Sequence, residues 1–267
     1  MLIKYVITTE EKDETRLNLY LKKNGTSSSI LLEKGSEKII EGLIVSVNKG
    51  NHSEPRIGID EAGKGDYFGP LVVCAAGVTP ETEIKLKLAG VTDSKSLSDD
   101  SVKAIANKIK KLCIYDVVVI GPGKYNELYA KFKNLNKLLA WGHARALENV
   151  LKKGDFRYAI SDKFSLKDEL RRSLFSKGQQ IELVERHRAE SDTAVAAASI
   201  IARAEFLMKL NNLSKESVVV LPKGCSEAVN DAGKQLVKKL GENKLGDYAK
   251  LHFKTTSKVL ELKGSDE

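Results

Sequence analysis

Apolar and polar residues alternate differently in two parts of this chain. Strands are predicted over residues 2–7, 30–32 and 39–47. Thr8 and Glu11 form a capping-box pattern, which predicts a helix from there to about Lys23. The polar stretch 48–55 is typical of a linker. We therefore expect residues 1–50 to form a small α+β domain.

A longer alternation of strands and helices follows over residues 56–258. Strands are predicted at 56–60, 71–78, 115–120, 158–161 and 181–184. Helices are predicted at 99–112, 125–151 (one or two) and 193–210, with a lysine-rich helical part at 226–258. Because only a glycine-rich bend separates the first two strands, we expect them to be antiparallel neighbours. The pattern predicts an α/β domain with a mixed sheet flanked by helices.

Charge adds a preference for polyanionic partners. The net charge is +8, and residues 1–50 carry eight Lys/Arg against seven Asp/Glu, so nearly all of the excess lies after residue 50. A basic balance of this kind favours nucleic acid without proving it. With 42% hydrophobic and 30% charged residues, the composition is that of a folded globular protein.

The remaining composition excludes several classes of protein. The three cysteines are far apart, which indicates neither a disulfide framework nor a zinc ribbon. No apolar run has the length of a membrane span, and the first residues do not resemble a signal peptide. We expect a cytoplasmic protein with no membrane association.

The most informative motif runs from Ile57 to Pro70. It begins as an apolar strand, reaches the adjacent acids Asp60 and Glu61, and continues into a glycine-rich stretch. Neighbouring side chains of a strand point to opposite faces, so we expect the strand to end between the two acids and the glycines to bend the chain. Two adjacent carboxylates favour the binding of a divalent cation. The glycine-rich backbone beside them would allow a phosphodiester to approach closely.

The same segment partly matches a phosphate-binding loop. Gly58, Gly63 and Lys64 have the required spacing, but Gly65 stands where Ser or Thr would hold magnesium. The two acids would also lie inside the loop and repel phosphate. Nucleotide hydrolysis is therefore disfavoured.

Three further acids occupy informative positions. Asp162 directly follows a predicted strand, as Asp60 does. Glu190 and Asp192 precede the alanine-rich segment 194–202, which predicts a buried helix lying close to the sheet. We interpret Asp192 as the cap of that helix, whereas Glu190 fits a cap or a metal ligand equally well.

Several segments resemble a known family, the type 2 ribonucleases H. Residues 58–70, 93–97 and 195–203 are similar to three of its motifs. Within the family the resemblance is to the ribonuclease HIII group, marked by residues 65–70, 125–129, 134–143, 221–224 and 249–253. The match extends over about residues 56–257. The N-terminal unit matches by arrangement only, as a domain resembling half of a TATA-binding protein.

The resemblance implies a ribonuclease H fold and an endonuclease that cuts the RNA strand of RNA–DNA hybrids, leaving 5′-phosphate and 3′-hydroxyl ends. It assigns Asp60, Glu61, Asp162 and Glu190 as ligands of two Mg²⁺ or Mn²⁺ ions, which activate water and stabilise the leaving oxygen. The spacing from Glu190 to the alanine-rich segment is one residue shorter than the family pattern. Asp192 therefore remains a rival fourth ligand.

The same resemblance suggests how substrate is held. Gly63, Lys64 and Gly65 would approach the sugar and read its 2′-hydroxyl, and Ser94 and Lys95 would contact the substrate backbone. The expected partner is an RNA–DNA hybrid bound by a monomer. Two alternatives are a ribonuclease HII-like enzyme that incises at single ribonucleotides in DNA and a catalytically inactive hybrid-binding protein. We expect His143 to be a packed, hydrogen-bonded residue and not a catalyst.

Overall fold

The structure is a computed structural model. It describes three strands before residue 50 and then residues 54–91, 97–165 and 167–260. The three strands are β1 (Ile3–Glu11), β2 (Glu14–Leu21) and β3 (Ser27–Glu33), and they form an antiparallel sheet in the order β1-β2-β3.

Two expectations for this N-terminal unit are confirmed and one is wrong. The strands predicted at 2–7 and 30–32 correspond to β1 and β3. The helix predicted from Thr8 to about Lys23 is wrong, because β2 pairs with β1 across that segment. The strand predicted at 39–47 and most of the linker lie outside the described residues. The likeness to half of a TATA-binding protein stays a prediction.

A separate five-stranded sheet organises the longer unit. Its strands are β4 (Arg56–Ala62), β5 (Leu71–Val78), β6 (Ile114–Ile120), β7 (Tyr158–Asp162) and β8 (Glu182–Arg186). They lie in the order β6-β5-β4-β7-β8. The pairs β4–β5 and β5–β6 are antiparallel, whereas β7 runs parallel to β4 and β8 parallel to β7. The predicted mixed sheet and the antiparallel first pair are confirmed.

Helices cover both faces of this sheet. They are α1 (Pro80–Leu88), α2 (Asp99–Leu112), α3 (Pro122–Phe132), α4 (Leu135–Leu151), α5 (Glu169–Ser173), α6 (Thr193–Ser217), α7 (Glu227–Leu240) and α8 (Thr255–Leu260). The predicted helices are confirmed, and 125–151 contains two. The sequence did not predict α1 or α5. None of the helices in the described part of the chain combines the length and apolarity needed to span a bilayer.

The two faces of the sheet have separate apolar cores. Val72 and Cys74 of β5 pack with α6, whereas Ile59 and Val73 pack with α4 on the opposite face. At Gly58 an added Cβ would lie 2.0 Å from the backbone carbon of Ala194, so glycine allows α6 to rest directly on β4. The close approach predicted for the alanine-rich helix is confirmed.

Candidate active site

Four carboxylates predicted to share a site line one cavity. Asp60 and Glu61 come from β4, Asp162 ends β7, and Glu190 lies in the short 3-10 helix Ala189–Ser191 before α6. Together they line a cavity of about 380 Å³. Because β4 and β7 are parallel neighbours, their carboxyl ends meet at the same edge of the sheet.

Asp60 and Glu61 reach this cavity from opposite faces of one strand. The expectation that β4 ends between them is wrong, because it continues to Ala62. The side chain of Asp60 is hydrogen-bonded to Ser199 of α6, and Glu61 Oε2 lies 3.0 Å from His143 Nε2 of α4. Both side chains line the cavity at the end of β4, although they leave opposite faces of the strand.

The adjacent acids differ strongly in their preferred protonation. Burial, followed by repulsion from Glu61, raises the pKa of Asp60 to about 7, although the hydrogen bond with Ser199 opposes that shift. For Glu61, burial also acts upward, but the hydrogen bond and charge of His143, together with Lys64, lower its pKa to about 2. The negative charge of Glu61 therefore disfavours ionisation of Asp60, and a bound cation would offset this repulsion.

The short 3-10 turn Ala189–Ser191 helps to position both Asp162, at the end of β7, and Glu190. The backbone N–H of Ala189 donates to Asp162 Oδ1 at 3.2 Å. Arg188 adopts a left-handed conformation with φ of 54°, which starts the 3-10 turn carrying Glu190. The turn thus fixes the orientation of Asp162 and places the fourth acid in the cavity wall.

Asp192 has a different environment. It is the N-cap of α6, where its Oδ1 accepts from the N–H of Ala194 at 2.8 Å. Its carboxylate also lies 2.9 Å from Arg56 Nε and 3.5 Å from Arg186. The cap interpretation is confirmed, and Asp192 is not part of the cavity lining that the structure describes.

Besides Asp66 of the glycine-rich segment, three polar residues of the cavity were not predicted as site residues from the sequence. Ser199 and Arg203 lie one turn apart on α6, and Lys223 lies in the loop before α7. Asp99 accepts from Arg203 at 2.8 Å and from Lys223 at 2.7 Å. The signal in the sequence was the resemblance of residues 195–203 and 221–224 to family motifs, since these two segments contain all three residues.

The predicted substrate-binding residues have different surroundings. Gly63 lines the cavity with φ of +84°, and an added Cβ there would lie 2.2 Å from the carbonyl oxygen of Pro70. Lys64 Nζ lies 3.4 Å from Glu61 Oε1. Gly65 is exposed, and an added Cβ would meet nothing within 4 Å. Ser94 and Lys95 lie outside the described residues.

A buried lysine fixes the loop that follows these glycines. Lys250 is fully buried, and its Nζ donates to the carbonyl oxygens of Asp66 and Gly69, each at 2.7 Å. The backbone N–H of Gly224 donates to Asp66 Oδ1 at 2.7 Å. The C-terminal part of the chain thus holds the loop that borders the cavity.

The donor set fits a hard divalent cation. Carboxylate oxygens are the ligands that Mg²⁺ and Mn²⁺ prefer, and the four predicted ligands line the cavity together with Asp66. No three acidic, histidine or cysteine side chains in the described ranges are already gathered as a metal-ligand cluster.

Comparison with known proteins identifies the family. The Ribonuclease HII family profile matches residues 57–256. The chain is 47% identical over 206 residues to a ribonuclease HIII of Protochlamydia amoebophila, covering 77% of this chain and 68% of that protein. It is 41% identical over 243 residues to a ribonuclease HIII of Chlamydia pneumoniae, covering 86% and 81%.

Solved structures agree with this assignment. The crystal structure of Bst-RNase HIII in complex with Mn²⁺ superposes with a TM-score of 0.73 at 28% identity, covering 95% of this chain and 88% of that one. The ribonuclease HII of Archaeoglobus fulgidus, solved in complex with PCNA, gives a TM-score of 0.65 at 29% identity and covers 77% of this chain and 96% of that one. The chain belongs to the type 2 ribonuclease H family and, within it, to the ribonuclease HIII group.

Proposed function

We propose that this ribonuclease H cuts the RNA strand of RNA–DNA hybrids with two divalent cations bound by Asp60, Glu61, Asp162 and Glu190. The observation that carries the proposal is the convergence of these four side chains on one cavity. A related ribonuclease HIII has been solved with Mn²⁺, which supports a divalent cation here. Either Mg²⁺ or Mn²⁺ fits the donor set.

Bound cations would supply a hydroxide nucleophile near neutral pH and offset the charge on the leaving 3′-oxygen. The protein's own contribution is positional. Asp60 and Glu61 offer carboxylates from two faces of one strand, and Asp162 and Glu190 close the set from the neighbouring strand and turn. His143 is fully buried and bonded on both ring nitrogens, so it is not placed to take a proton from water.

The glycine-rich loop is suited to contact the sugar of the RNA strand. A protein distinguishes RNA from DNA through the 2′-hydroxyl, which an RNA–DNA hybrid presents in its broad minor groove. Gly63 is needed by the fold, because a side chain there would collide with the backbone of Pro70. Gly65 has no such requirement, since a side chain would point into open space. Its open side leaves room for a substrate backbone.

Two cations border the same cavity. Arg203 and Lys223 both line it and both pair with Asp99, so these three side chains together carry one net positive charge. Phosphate groups of a nucleic-acid backbone are attracted to such a position. We propose that they hold a phosphate next to the cleaved bond.

Outside the cavity, we propose that residues 1–50 add affinity for the hybrid, that residues 56–258 form the catalytic domain, and that the enzyme works as a cytoplasmic monomer. Lys64 and, in the segment outside the described residues, Ser94 and Lys95 would contact the substrate backbone. A sedimentation measurement showing a stable dimer would contradict the monomer.

Cleavage of a labelled RNA–DNA hybrid tests the function. With Mg²⁺ or Mn²⁺ we expect cuts in the RNA strand only, no cuts in all-DNA or all-RNA duplexes, and no activity with a chelator. Asp60→Asn should reduce cleavage by at least about a thousandfold while the protein stays folded, because a proposed ligand is lost. Asp155→Asn, at an exposed position away from the cavity, is the matched control.

A DNA duplex with one ribonucleotide tests the alternative substrate. The match to the ribonuclease HII family profile is the reason to include it. Efficient incision there, with poor cleavage of a continuous hybrid, would replace the hybrid as preferred substrate. Binding of hybrid with no cleavage under any metal condition would favour an inactive hybrid-binding protein.

A further inference from the structure

His143 connects the ends of the two strands that carry three of the four proposed ligands. It is fully buried on α4, and its Nε2 lies 3.0 Å from Oε2 of Glu61 on β4. Its Nδ1 lies 3.1 Å from Oγ of Ser161, which immediately precedes Asp162 on β7. One imidazole ring therefore contacts both strand ends.

The order serine, histidine, glutamate resembles a hydrolase triad, but the burial excludes that role. Ser161 and His143 both have no exposed surface. A nucleophilic hydroxyl must reach a substrate carbonyl or phosphate, which a buried serine cannot do. We therefore interpret Ser161 and His143 as residues that act on Glu61 and not on a substrate.

The hydrogen-bond chemistry fixes the direction of this chain of contacts. An ionised carboxylate only accepts hydrogen bonds, so Nε2 must carry the hydrogen that faces Glu61. In a neutral ring, Nδ1 accepts the single hydrogen of the Ser161 hydroxyl, which then cannot also donate to the carbonyl oxygen of Asp162 at 3.2 Å. In a protonated ring, Nδ1–H donates to Ser161 Oγ and the hydroxyl donates to that carbonyl. In either state Nε2–H donates to Glu61 Oε2.

Packing holds the ring in that position. The ring of Phe164 lies 5.0 Å from the imidazole, and α4 is buried along this face. With Oε2 held by His143, the other oxygen of Glu61 lies 3.4 Å from Lys64, whose side chain is 39% exposed. Glu61 thus has one oxygen held on the buried side and the other on the side that meets solvent.

We propose that His143 is a positioning residue that fixes the Glu61 carboxylate for divalent-cation binding and is itself oriented by Ser161. The inference rests on the proposed function, because it takes Glu61 to be a metal ligand. Hydrogen bonds to a ligating carboxylate set its orientation, and their loss typically weakens metal binding by about 10- to 100-fold. A purely structural role for His143 would require volume at this position but no donor.

Two substitutions of similar size separate these roles. His143→Gln keeps an N–H donor near Glu61, whereas His143→Leu fills the space without one. Mn²⁺ binding is measured without nucleic acid, from the electron paramagnetic resonance signal of free Mn²⁺. We expect His143→Leu to raise the dissociation constant about 10- to 100-fold and His143→Gln to raise it less than about threefold. Ser161→Ala should give an intermediate increase.

Two further readouts control for loss of structure. Val150→Ala creates a cavity elsewhere on α4, where Val150 is fully buried, and should leave Mn²⁺ affinity unchanged. Thermal unfolding without metal establishes that each variant is folded. In hybrid cleavage, the Mn²⁺ concentration for half-maximal rate should rise in His143→Leu, while the rate at saturating Mn²⁺ stays close to that of the wild type.

The inference is overturned if folded His143→Leu binds Mn²⁺ as tightly as the wild type. It is also overturned if the leucine and glutamine variants lose affinity equally, because volume would then be all that matters. His143-dependent Mn²⁺ binding without any hybrid cleavage would support the role of His143 and contradict the proposed substrate. No Mn²⁺ binding by the wild type would contradict both.

Discussion

Glu190 and Asp192 are two positions apart but belong to different structural features. Glu190 lines the cavity, whereas Asp192 caps α6 and pairs with buried Arg56. We predict that Glu190→Gln cripples cleavage at low metal concentration. Asp192→Asn should retain cleavage but lower the free energy of unfolding. Asparagine caps a helix about as well as aspartate, so the loss comes mainly from the ion pair with Arg56. We expect about 3 kcal/mol, because a buried arginine loses one of its charged partners.

Metal-titrated cleavage assays and urea unfolding of both variants check this ranking. The two substitutions are matched in chemistry, since each replaces a carboxylate with its amide. If Asp192→Asn shifted the metal dependence while Glu190→Gln did not, Asp192 would be the fourth ligand and the assignment of Glu190 would be wrong.

Gly65 differs from Gly63 in what a side chain would meet. We predict that Gly65→Ala leaves the melting temperature within about 1 °C of the wild type, because its Cβ would point into open space. The same change should raise the KM for hybrid several-fold if a sugar or phosphate occupies that space. Gly63→Ala is the contrasting variant and should destabilise the protein, since φ is +84° and Pro70 is in the way. An unchanged KM for Gly65→Ala would remove that residue from the set that contacts substrate.

At the scale of the elements, the contact between α6 and β4 depends on Gly58. An alanine Cβ would lie 2.0 Å from the backbone of Ala194, so α6 would have to move away from the sheet. We predict that Gly58→Ala lowers the free energy of unfolding by about 3 kcal/mol or more. It should also reduce cleavage, because α6 carries Ser199 and Arg203. Gly123→Ala near the start of α3, where the nearest atom is 4.0 Å away, should be neutral or stabilising.

The loop held by Lys250 gives a prediction for pH. Burial lowers the pKa of Lys250 to about 7, from a usual value of about 10.5. Between these values the unfolded chain binds more protons than the folded protein, so this residue makes stability rise with pH. The difference in free energy of unfolding between wild type and Lys250→Met should increase by about 1 kcal/mol per pH unit from pH 7.5 to 9.5.

Urea unfolding at several pH values measures that slope. Lys254→Met, at an exposed position in the same C-terminal segment, should leave the pH dependence of the wild type unchanged. A Lys250→Met variant with the same pH dependence as the wild type would show that Lys250 stays charged beside the carbonyl oxygens of Asp66 and Gly69.

Most elements with regular apolar periodicity were predictable from the sequence, whereas α1 and β2 were not. The helix α1 was missed because Glu83, which pairs with Arg56, occupies one of its two buried positions. In β2 the alternating leucines at 17, 19 and 21 are typical of a strand, yet the local capping pattern at Thr8 favoured a helix. Strand pairing with β1 therefore outweighs the local capping motif at Thr8 in this segment.

The candidate site shows the same limit over longer distances. Strand-end acids were recognisable one by one, because each followed an apolar run. The Arg203–Asp99–Lys223 group joins positions up to 124 residues apart, and the contact of His143 with Glu61 spans 82. Such pairs follow from how helices pack on the sheet, which no single stretch of sequence encodes.

For the whole molecule, the division of charge bears on how the two units share substrate binding. Residues 1–50 are almost neutral, and nearly all of the net charge of +8 follows them. The apolar clusters seen among the described residues consist of residues from 57 onward, so the longer unit has a core of its own. We therefore expect catalysis and most phosphate binding to belong to that unit. We expect the smaller one to bind through lysines such as Lys22, Lys23 and Lys38, or through uncharged groups.

A chain beginning at Pro55 tests this division. We predict that it keeps most of kcat, because the four proposed metal ligands are retained, but has a higher KM for hybrid. If a lysine patch is responsible, the dependence of binding on salt should also become shallower, by about one unit of slope for each phosphate that is no longer neutralised. Binding curves at several salt concentrations distinguish charged from uncharged interactions, since removal of uncharged ones weakens binding without changing the slope. If the shortened and full chains bind the hybrid with equal affinity at the same salt concentration, residues 1–50 have a role other than substrate binding.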